Sequence, residues 1–252
     1  MKPQLFDNER IDYVNDRLSL IQKPDGLTFG TDALLLAGYM NTRDAYGIEL
    51  GSGSGIISML LLTRGKLSSA LCLEVQEQYA ELTGRNAELN GLEDRMTAVH
   101  CDIREYKPQC EAQTVYTNPP YMKSDTGRGN SLSAKNIARH EIMGDIGDFL
   151  ASAKRMLKYG GDFYAVYRPD RLTDLITAMR QAGIEPKRAT FVHSDTESES
   201  SMVLIEGKRG GKAGMRLTCP LIIYKNHGSR EYSEDMSYIM ENGSFPEKFN
   251  GK

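Results

Sequence analysis

Ile48–Ile56 reads IELGSGSGI and carries the strongest fold signal in this chain of 252 residues. The apolar residues 46–50 predict a strand, three glycines follow at alternate positions, and residues 56–62 predict a helix. Glycine lets the backbone approach a ligand closely or adopt a positive φ, and the N-terminus of a helix offers unpaired N–H groups. The segment therefore predicts a ligand-binding turn between a strand and a helix.

The spacing of these glycines separates two kinds of ligand. Dinucleotide sites use the pattern G-x-G-x-x-G, whereas this chain has G-x-G-x-G with Glu49 two residues before it. The Glu49 carboxylate would repel a pyrophosphate but suits a cationic amine or a sulfonium. Glycine clusters also occur in plain strand–helix turns, so the interpretation depends on the strands downstream.

Two further apolar strands end in acidic residues. Residues 71–73 lead into Glu74, and residues 98–101 lead into Asp102. Ligands of open α/β sheets bind at the carboxyl ends of the strands, where Glu74 can accept from both ribose hydroxyls and Asp102 from an adenine amino group. A single acid in such a place is also a common helix N-cap. Glu49, Glu74 and Asp102 on three successive strands instead predict a cofactor site.

The fourth strand, residues 114–117, stops at Asn118–Tyr121, which reads NPPY. Neither proline has a backbone N–H, so the strand cannot continue its hydrogen-bonded ladder. The Asn118 side-chain oxygen and the Pro119 carbonyl can accept the two N–H groups of an aromatic amine, and Tyr121 can stack on a flipped base. Asn-Pro is also a common turn signal, but its position downstream of the glycine turn favours a catalytic motif.

With these motifs the chain resembles the S-adenosylmethionine-dependent methyltransferases of the seven-stranded class. More narrowly, it is similar to the bacterial tRNA(Val) adenine-37 N6-methyltransferases and their close small-methyltransferase relatives. The resemblance covers residues 17–240 and includes Phe29–Ala37 (FGTDALLLA), Ala138–Glu141 (ARHE) and Tyr167–Pro169 (YRP). It implies an α/β fold, namely a Rossmann-like seven-stranded mixed sheet with helices on both faces and a C-terminal antiparallel hairpin.

The resemblance also implies a cofactor, a substrate and residues that bind them. The cofactor is S-adenosyl-L-methionine and the partner is tRNA. The implied cofactor-binding residues are Thr31, Asp32, Glu49, Gly51, Ser52, Gly53, Gly55, Glu74, Asp102, Ile103 and Asn118. The implied catalytic residues are Asn118, Pro119, Pro120 and Tyr121. The residues expected to contact RNA are Lys123, Arg139, His140, Arg168, Lys208, Arg209 and Lys212. Arg139 and His140 could equally form a loop ion pair with Glu141.

Composition and charge indicate which partners, metals and cellular location are expected. The formal net charge of −3 weakly opposes nucleic-acid binding, but Gly207–Arg230 holds six basic residues and no acid, which favours a phosphate-contacting surface. The four cysteines form no C-x-x-C pair and the four histidines have no metal spacing, so no metal is expected. The absence of an apolar run of membrane length and of a signal segment indicates a cytoplasmic protein. A monomer is favoured.

The predicted organisation is a single domain, residues 1–252, in three parts. Residues 1–44 form an N-terminal arm, a hairpin and a helix, residues 45–206 the Rossmann-like core, and residues 207–252 a basic C-terminal extension. Within the first part, residues 1–16 are expected to be a loose arm, and the hairpin pairs residues 17–22 with 27–29 around the turn 23–26. Thr31 or Asp32 is expected to cap the helix 33–39. Residues 122–137 are expected to form a substrate lid.

The predicted function is S-adenosylmethionine-dependent N6-methylation of an adenosine in tRNA, adenine 37 of a valine tRNA. One alternative is a protein glutamine N5-methyltransferase acting on release factors, but such enzymes carry a helical N-terminal domain, and the about 45 residues before the glycine turn read as a hairpin. A second is an rRNA guanine N2-methyltransferase. A third, of another class, is a cofactor-binding RNA-interaction protein without catalytic activity.

Overall fold

A computed structural model of the chain describes residues 5–23, 29–119 and 144–250. Five of the predicted site residues lie outside these ranges, as does the predicted lid 122–137. They are Pro120, Tyr121, Lys123, Arg139 and His140.

Eleven strands and six α-helices make up the described residues. The strands are β1 (Arg10–Asn15), β2 (Leu18–Gln22), β3 (Ala45–Leu50), β4 (Leu67–Glu74), β5 (Met96–His100), β6 (Ala112–Thr117), β7 (Leu157–Tyr167), β8 (Ile184–His193), β9 (Ser200–Arg209), β10 (Arg216–Leu217) and β11 (Leu221–Ile222). The helices are α1 (Thr31–Tyr39), α2 (Ile56–Thr63), α3 (Glu77–Leu89), α4 (Ile146–Met156), α5 (Leu172–Gln181) and α6 (Glu234–Asn242). Short 3₁₀ turns cover Pro169–Arg171 and Glu247–Phe249.

The main sheet has the order β10-β8-β9-β7-β6-β3-β4-β5, with β11 also paired to β8. Strands β3 to β7 are parallel, and β9 runs antiparallel between β7 and β8. From β3 the chain moves outward to β4 and β5, then returns to β6 on the other side. The order therefore reverses between β3 and β6, and open α/β sheets bind their ligands in the crevice at such a reversal.

Helices cover both faces of the sheet. One apolar layer contains α1, α2 and α6 with the fully buried Leu36, Leu60 and Met236. The other contains α4 and α5, with the fully buried Leu150 and Leu175. Because both faces are covered, the inner strands β3 and β6 are buried at nearly every position rather than at alternating ones. The expected α/β class with helices on both faces is confirmed.

The expected strand count is corrected from seven to nine in the main sheet. The seven strands of the expected class are all present, and β8 and β9 form the expected antiparallel hairpin. The two additional strands, β10 and β11, are two residues each and pair with the outer side of β8. Segments this short carry no hydrophobic period, so the sequence holds no signal for them.

The N-terminal hairpin differs from its prediction. The pair is β1 with β2 around Asp16 and Arg17, so Arg10–Asn15 is a strand and not part of a loose arm. Ile11 and Tyr13 on β1 are 37 % and 86 % exposed, which removed the burial signal that would identify a strand. The predicted cap of α1 is also wrong: the N-cap is Gly30, with no side-chain cap.

The C-terminal segment packs against the sheet. The predicted boundary at residue 206 falls inside β9, and the segment beyond it supplies β10, β11 and α6. Arg188 on β8 joins these parts and is 4 % exposed. Its guanidinium donates to Glu206 Oε2 at 2.8 Å, to the Phe249 carbonyl at 2.9 Å and to the Tyr39 carbonyl at 2.8 Å. One buried cation thus ties α1, the sheet and the end of the described chain together.

Candidate active site

The carboxyl ends of β3 and β6 meet where the strand order reverses. The Thr117 hydroxyl, fully buried at the end of β6, donates to the Leu50 carbonyl at the end of β3 at 2.7 Å. Beyond β3, the N–H groups of Gly51 and Ser52 both donate to the Leu73 carbonyl of β4, at 2.9 and 3.1 Å. These bonds fix the starting point of the glycine turn against both neighbouring strands.

The glycine turn needs its glycines for conformation and for space. Gly51, Gly53 and Gly55 have φ values of 72°, 55° and 79°, in the left-handed region that side chains disfavour. At Gly55 an added Cβ would lie 2.5 Å from Met96 Cε and 2.9 Å from Thr83 Cγ2. The turn therefore fits directly against α3 and β5, and α2 begins immediately after Gly55.

Two polar residues on α3 bind the backbone of the glycine turn. The Thr83 hydroxyl donates to the Gly53 carbonyl at 2.9 Å, and the Asn86 amide donates to the Ser54 carbonyl at 3.0 Å. Asn86 also bonds the backbone of Ile21 on β2, which joins the N-terminal hairpin to the turn. Sequence reasoning missed both residues. The pattern that could have identified them is a pair of polar residues three positions apart on the buried face of α3.

Glu49 lies in the interior and does not open onto the crevice. It is 1 % exposed, and its Oε2 accepts from the Ser58 hydroxyl at 2.5 Å and from the Ser58 N–H at 3.3 Å. Burial raises the pKa of Glu49 to about 8, with the Ser58 hydrogen bonds acting in the opposite direction. A carboxyl that is largely neutral at pH 7 offers little charge to a sulfonium. The nearby Glu74 carboxylate raises the pKa of Glu49 further, and the contact of Glu49 with a cofactor stays a prediction.

Glu74 and Asp102 lie at neighbouring strand ends on the β4–β5 side. Glu74 Oε2 accepts from the Gly53 N–H at 2.9 Å and Oε1 from the Gln76 N–H at 3.0 Å. The Asp102 carboxylate is bound by the Arg104 side chain, with Nε 2.9 Å from each oxygen, and these hydrogen bonds lower the pKa of Asp102. Each carboxylate oxygen has two acceptor positions. Glu74 accepts one hydrogen bond at each oxygen and so retains capacity for a ligand's hydroxyl donors, whereas both Asp102 oxygens already accept from the Arg104 backbone and guanidinium.

The backbone that follows β5 is fixed by Arg155 on α4. Its guanidinium donates to the carbonyls of Ile103 at 2.5 Å, Arg104 at 3.2 Å and Tyr106 at 3.1 Å. The Ser152 hydroxyl also donates to the Ile103 carbonyl, at 3.0 Å. These contacts hold Ile103, a predicted cofactor residue, next to Asp102, and no sequence pattern pointed to them.

On the other side of the reversal, Asn118 is bonded to Asp32. Its Nδ2 donates to Asp32 Oδ2 at 2.8 Å, although the two residues are 86 positions apart. Asp32 and Thr31 line a cleft of about 470 Å³ together with Arg168, Ser201 and Met202. Thr31, Asp32, Asn118 and Arg168 were all predicted as site residues, and the structure brings them together. Pro119 follows Asn118 and is buried.

The predicted RNA residues divide between the two edges of the sheet. Arg168 follows the carboxyl end of β7, on the edge that carries Asn118. Lys208 and Arg209 end the antiparallel β9 and so lie on the opposite edge, where they pair with Asp162 and Glu111 at 2.5 and 2.9 Å. Lys212 lies in the loop that follows. The structure therefore does not bring these three cations together with Asn118.

Within the described ranges, no group of three or more His, Cys, Asp or Glu side chains is arranged to hold a metal ion. Of the helices the structure describes, none has the length and apolar character needed to span a bilayer.

The geometry defines a class of protein. A mixed sheet with one antiparallel strand between two of its parallel ones, a glycine turn at the order reversal and acids at the next two strand ends together form a class I methyltransferase fold. The sequence matches the family model of the methyltransferase small domain over residues 24–181, more than half of the chain. The chain belongs to this family, as its sequence motifs predicted.

Curated relatives carry a more specific name. One, from Dyadobacter fermentans, is 26 % identical over 200 residues, which cover 79 % of this chain and 82 % of the relative. Another, from Aeromonas hydrophila, is 25 % identical over 183 residues, covering 72 % and 76 %. Both are named tRNA1(Val) (adenine(37)-N6)-methyltransferase.

Solved structures agree on the fold. A predicted O-methyltransferase from Agrobacterium tumefaciens superposes with a TM-score of 0.69 at 19 % identity, over 85 % of this chain and 98 % of that one. Geranyl diphosphate C-methyltransferase from Streptomyces coelicolor, solved with S-adenosyl-L-homocysteine, gives a TM-score of 0.54 at 13 % identity, over 71 % and 78 %.

Proposed function

We propose that this methyltransferase transfers a methyl group from S-adenosyl-L-methionine to N6 of an adenosine in tRNA, adenosine 37 of a valine tRNA. The observation that carries the proposal is the position of Asn118, at the carboxyl end of β6 and next to the strand that leads into the glycine turn. Membership of the methyltransferase small domain family and the shared name of the curated relatives support it.

The residues around the glycine turn fit the proposed cofactor. Three glycines with positive φ leave backbone beside the crevice without side chains, and α2 begins directly behind them. Glu74 would accept from the ribose hydroxyls. Asp102 would accept from the adenine amino group in place of part of its present contact with Arg104. The bound cofactor supplies an electrophilic methyl group on a sulfonium.

The protein's own contribution concerns the acceptor nitrogen. An exocyclic aromatic amine is a weak nucleophile because its lone pair is delocalised into the ring. Two acceptors on its N–H groups, the Asn118 side-chain oxygen and the Pro119 carbonyl, would favour a more tetrahedral nitrogen with a localised lone pair. Such acceptors act most strongly as the nitrogen becomes positive, which is the condition for stabilising a transition state.

The proposed substrate is tested by comparing three acceptors. Purified protein and labelled S-adenosyl-L-methionine are incubated with an unmodified valine tRNA transcript, with the same transcript carrying guanine at position 37, and with a release factor. We expect label only in the first, as N6-methyladenosine. Label in the release factor alone, or equal label in the guanine variant, would overturn the proposal.

Glu74→Ala is expected to weaken binding of S-adenosyl-L-methionine by about 1–3 kcal/mol, because charge-assisted hydrogen bonds to the ribose are lost. Titration calorimetry measures the effect, with circular dichroism as a check of folding. The control is Glu93→Ala, which removes an exposed carboxylate from the turn before β5. Equal affinity in the folded Glu74 variant and in the control would exclude Glu74 as a ribose ligand.

Arg168→Gln is expected to weaken tRNA binding and to reduce the slope of log K against log salt by about one, since one phosphate contact releases about one counterion. The comparison variant replaces Lys208, Arg209 and Lys212 by glutamine together. We expect its slope to match the wild type, because these cations lie on the edge of the sheet opposite to Asn118. A loss of slope confined to the triple variant would restore the interpretation drawn from sequence.

A further inference from the structure

Asp32 has two hydrogen-bonding tasks at the start of α1. Its Oδ1 accepts from the Ala33 N–H at 2.9 Å, and its Oδ2 accepts from Asn118 Nδ2 at 2.8 Å. The carboxylate lies in the first turn of a helix, where the helix dipole favours a negative charge. Hydrogen bonds to both oxygens fix the orientation of the Asp32 carboxylate, so Asp32 both lines the cleft and binds Asn118.

The support behind Asp32 is rigid. Leu35 and Leu36 of the same helix are fully buried. The carbonyls in the last turn of α1 are bound by two basic side chains from outside the helix. Lys66 donates to the Ala37 carbonyl at 2.8 Å, and Arg188 donates to the Tyr39 carbonyl at 2.8 Å. A helix held at its far end and along its buried face keeps the Asp32 carboxylate in a fixed place.

The chemistry of the two groups decides how the Asn118 amide is oriented. An ionised carboxylate only accepts hydrogen bonds, so the amide atom that faces Asp32 must be the NH₂ group. The carbonyl oxygen of Asn118 then lies on the other branch of the amide and remains available to accept. With the amide turned by 180°, the NH₂ group would face the acceptor amine, and two donors would oppose each other.

We propose that Asp32 is a positioning residue, which holds the Asn118 amide so that its Oδ1 faces the acceptor nitrogen and polarises it through a charge-assisted hydrogen bond. This inference rests on the proposed function, in which Asn118 Oδ1 accepts an N–H of the target amine. It gives Asp32 a role different from the cofactor contact that the resemblance implies. Hydrogen bonds in a chain strengthen one another, so the negative charge of Asp32 makes Asn118 Oδ1 the better acceptor.

The other charged side chain that lines the cleft, Arg168, is paired with Asp170 and leaves the bond between Asp32 and Asn118 in place. The Arg168 guanidinium is bound by Asp170 through two hydrogen bonds of 2.9 and 2.5 Å. Gly30 also matters, because an added Cβ there would lie 2.8 Å from Asp32 Oδ1. Gly30 has φ −116°, which any residue adopts, so a substitution at Gly30 acts by displacing the Asp32 carboxylate rather than by backbone strain.

The test compares Asp32→Ala, Asp32→Asn and Gly30→Ala in methyl transfer at saturating cofactor and tRNA. For Asp32→Ala we expect kcat to fall about 10- to 100-fold, by analogy with the loss seen when the hydrogen-bond partner of a metal-binding residue is removed, with little change in cofactor Kd. Asp32→Asn should retain much more activity, because its carbonyl oxygen can still accept from Asn118 Nδ2. Gly30→Ala should lie between the wild type and Asp32→Ala. Asp94→Ala, which removes an exposed carboxylate, is the control.

A double-mutant cycle separates positioning from a structural role. If Asp32 acts through Asn118, then adding Asp32→Ala to Asn118→Ala changes kcat no further, because the effects of coupled residues do not add. Additive losses would overturn the inference. So would a loss confined to cofactor Kd, which would make Asp32 a cofactor ligand, or equal kcat for the alanine and asparagine variants, which would point to proton transfer.

An NMR measurement keeps the inference testable if the protein proves inactive on tRNA. The side-chain NH₂ signals of ¹⁵N-labelled Asn118 report the hydrogen bond directly, and we expect Asp32→Ala to shift them and to speed their exchange with water. Unchanged signals would overturn the pairing. Wild-type inactivity on tRNA with the expected NMR change would instead contradict the proposed substrate and leave the pairing in place.

Discussion

Asn118→Ala is expected to lower kcat for methyl transfer by about 10²–10³-fold, the loss caused by removal of one preorganised group that stabilises a transition state. The affinity for S-adenosyl-L-methionine should remain nearly unchanged, because the side-chain oxygen acts on the acceptor nitrogen and not on the cofactor. Single-turnover kinetics with saturating cofactor measure the first quantity, and calorimetry measures the second.

The control for Asn118 is Asn226→Ala, which removes the same side chain from an exposed loop after β11. It should match the wild type in both measurements. The opposite pattern at Asn118, with a large loss of cofactor affinity but normal turnover once cofactor is saturating, would show that Asn118 is a binding residue and that the proposed chemistry is wrong.

Arg188→Met is expected to destabilise the protein by about 3–5 kcal/mol, the cost of removing one partner of a buried ion pair. The variant would leave Glu206 without its cation, and the carbonyls of Tyr39 and Phe249 without their donor. Such a loss is a large fraction of the about 5–15 kcal/mol that stabilises a typical domain. Denaturant unfolding followed by circular dichroism gives the free energy of unfolding.

Arg180→Met is the matched control for Arg188. Arg180 pairs with Glu185 at 3.3 Å, but its side chain is 64 % exposed. An ion pair in water contributes about 0–1 kcal/mol, so this variant should lose little stability. Equal losses in the two variants would mean that the buried guanidinium has no special role in joining α1 to the C-terminal segment.

The sequence predicts the central sheet well because its signals are local. The glycine turn, the apolar strands before Glu74 and Asp102, and the proline stop after Asn118 each lie within about ten residues. Alternation of strands and helices then implies a parallel sheet, and the carboxyl ends of parallel strands must share an edge. The antiparallel β8–β9 hairpin is instead implied by the resemblance to the methyltransferase class.

The features that sequence could not reveal depend on contacts between distant segments. The bond from Asn118 to Asp32 spans 86 positions, and no local pattern relates the two residues. Glu49 lies between Ile48 and Leu50, whose side chains pack on the α4–α5 side. Because successive side chains on a strand point to opposite faces, Glu49 points toward α2. Its burial follows only once it is known that helices cover both faces of the sheet. A run of basic residues likewise does not show which edge of the sheet the residues occupy. Arg168 lies on the edge that carries Asn118, whereas Lys208 lies on the opposite edge.

The inner position of β9 has a consequence for the order in which the protein is made. On the ribosome, β7 and β8 are complete before β9 is synthesised, yet β9 lies between them in the sheet. Until then β8 has no partner in the sheet and one side of β7 is an open edge, which can template association with another chain. The β8–β9 hairpin must therefore dock as a unit, and a nascent chain stalled before Ser200 carries an unpaired edge at the centre of its future sheet.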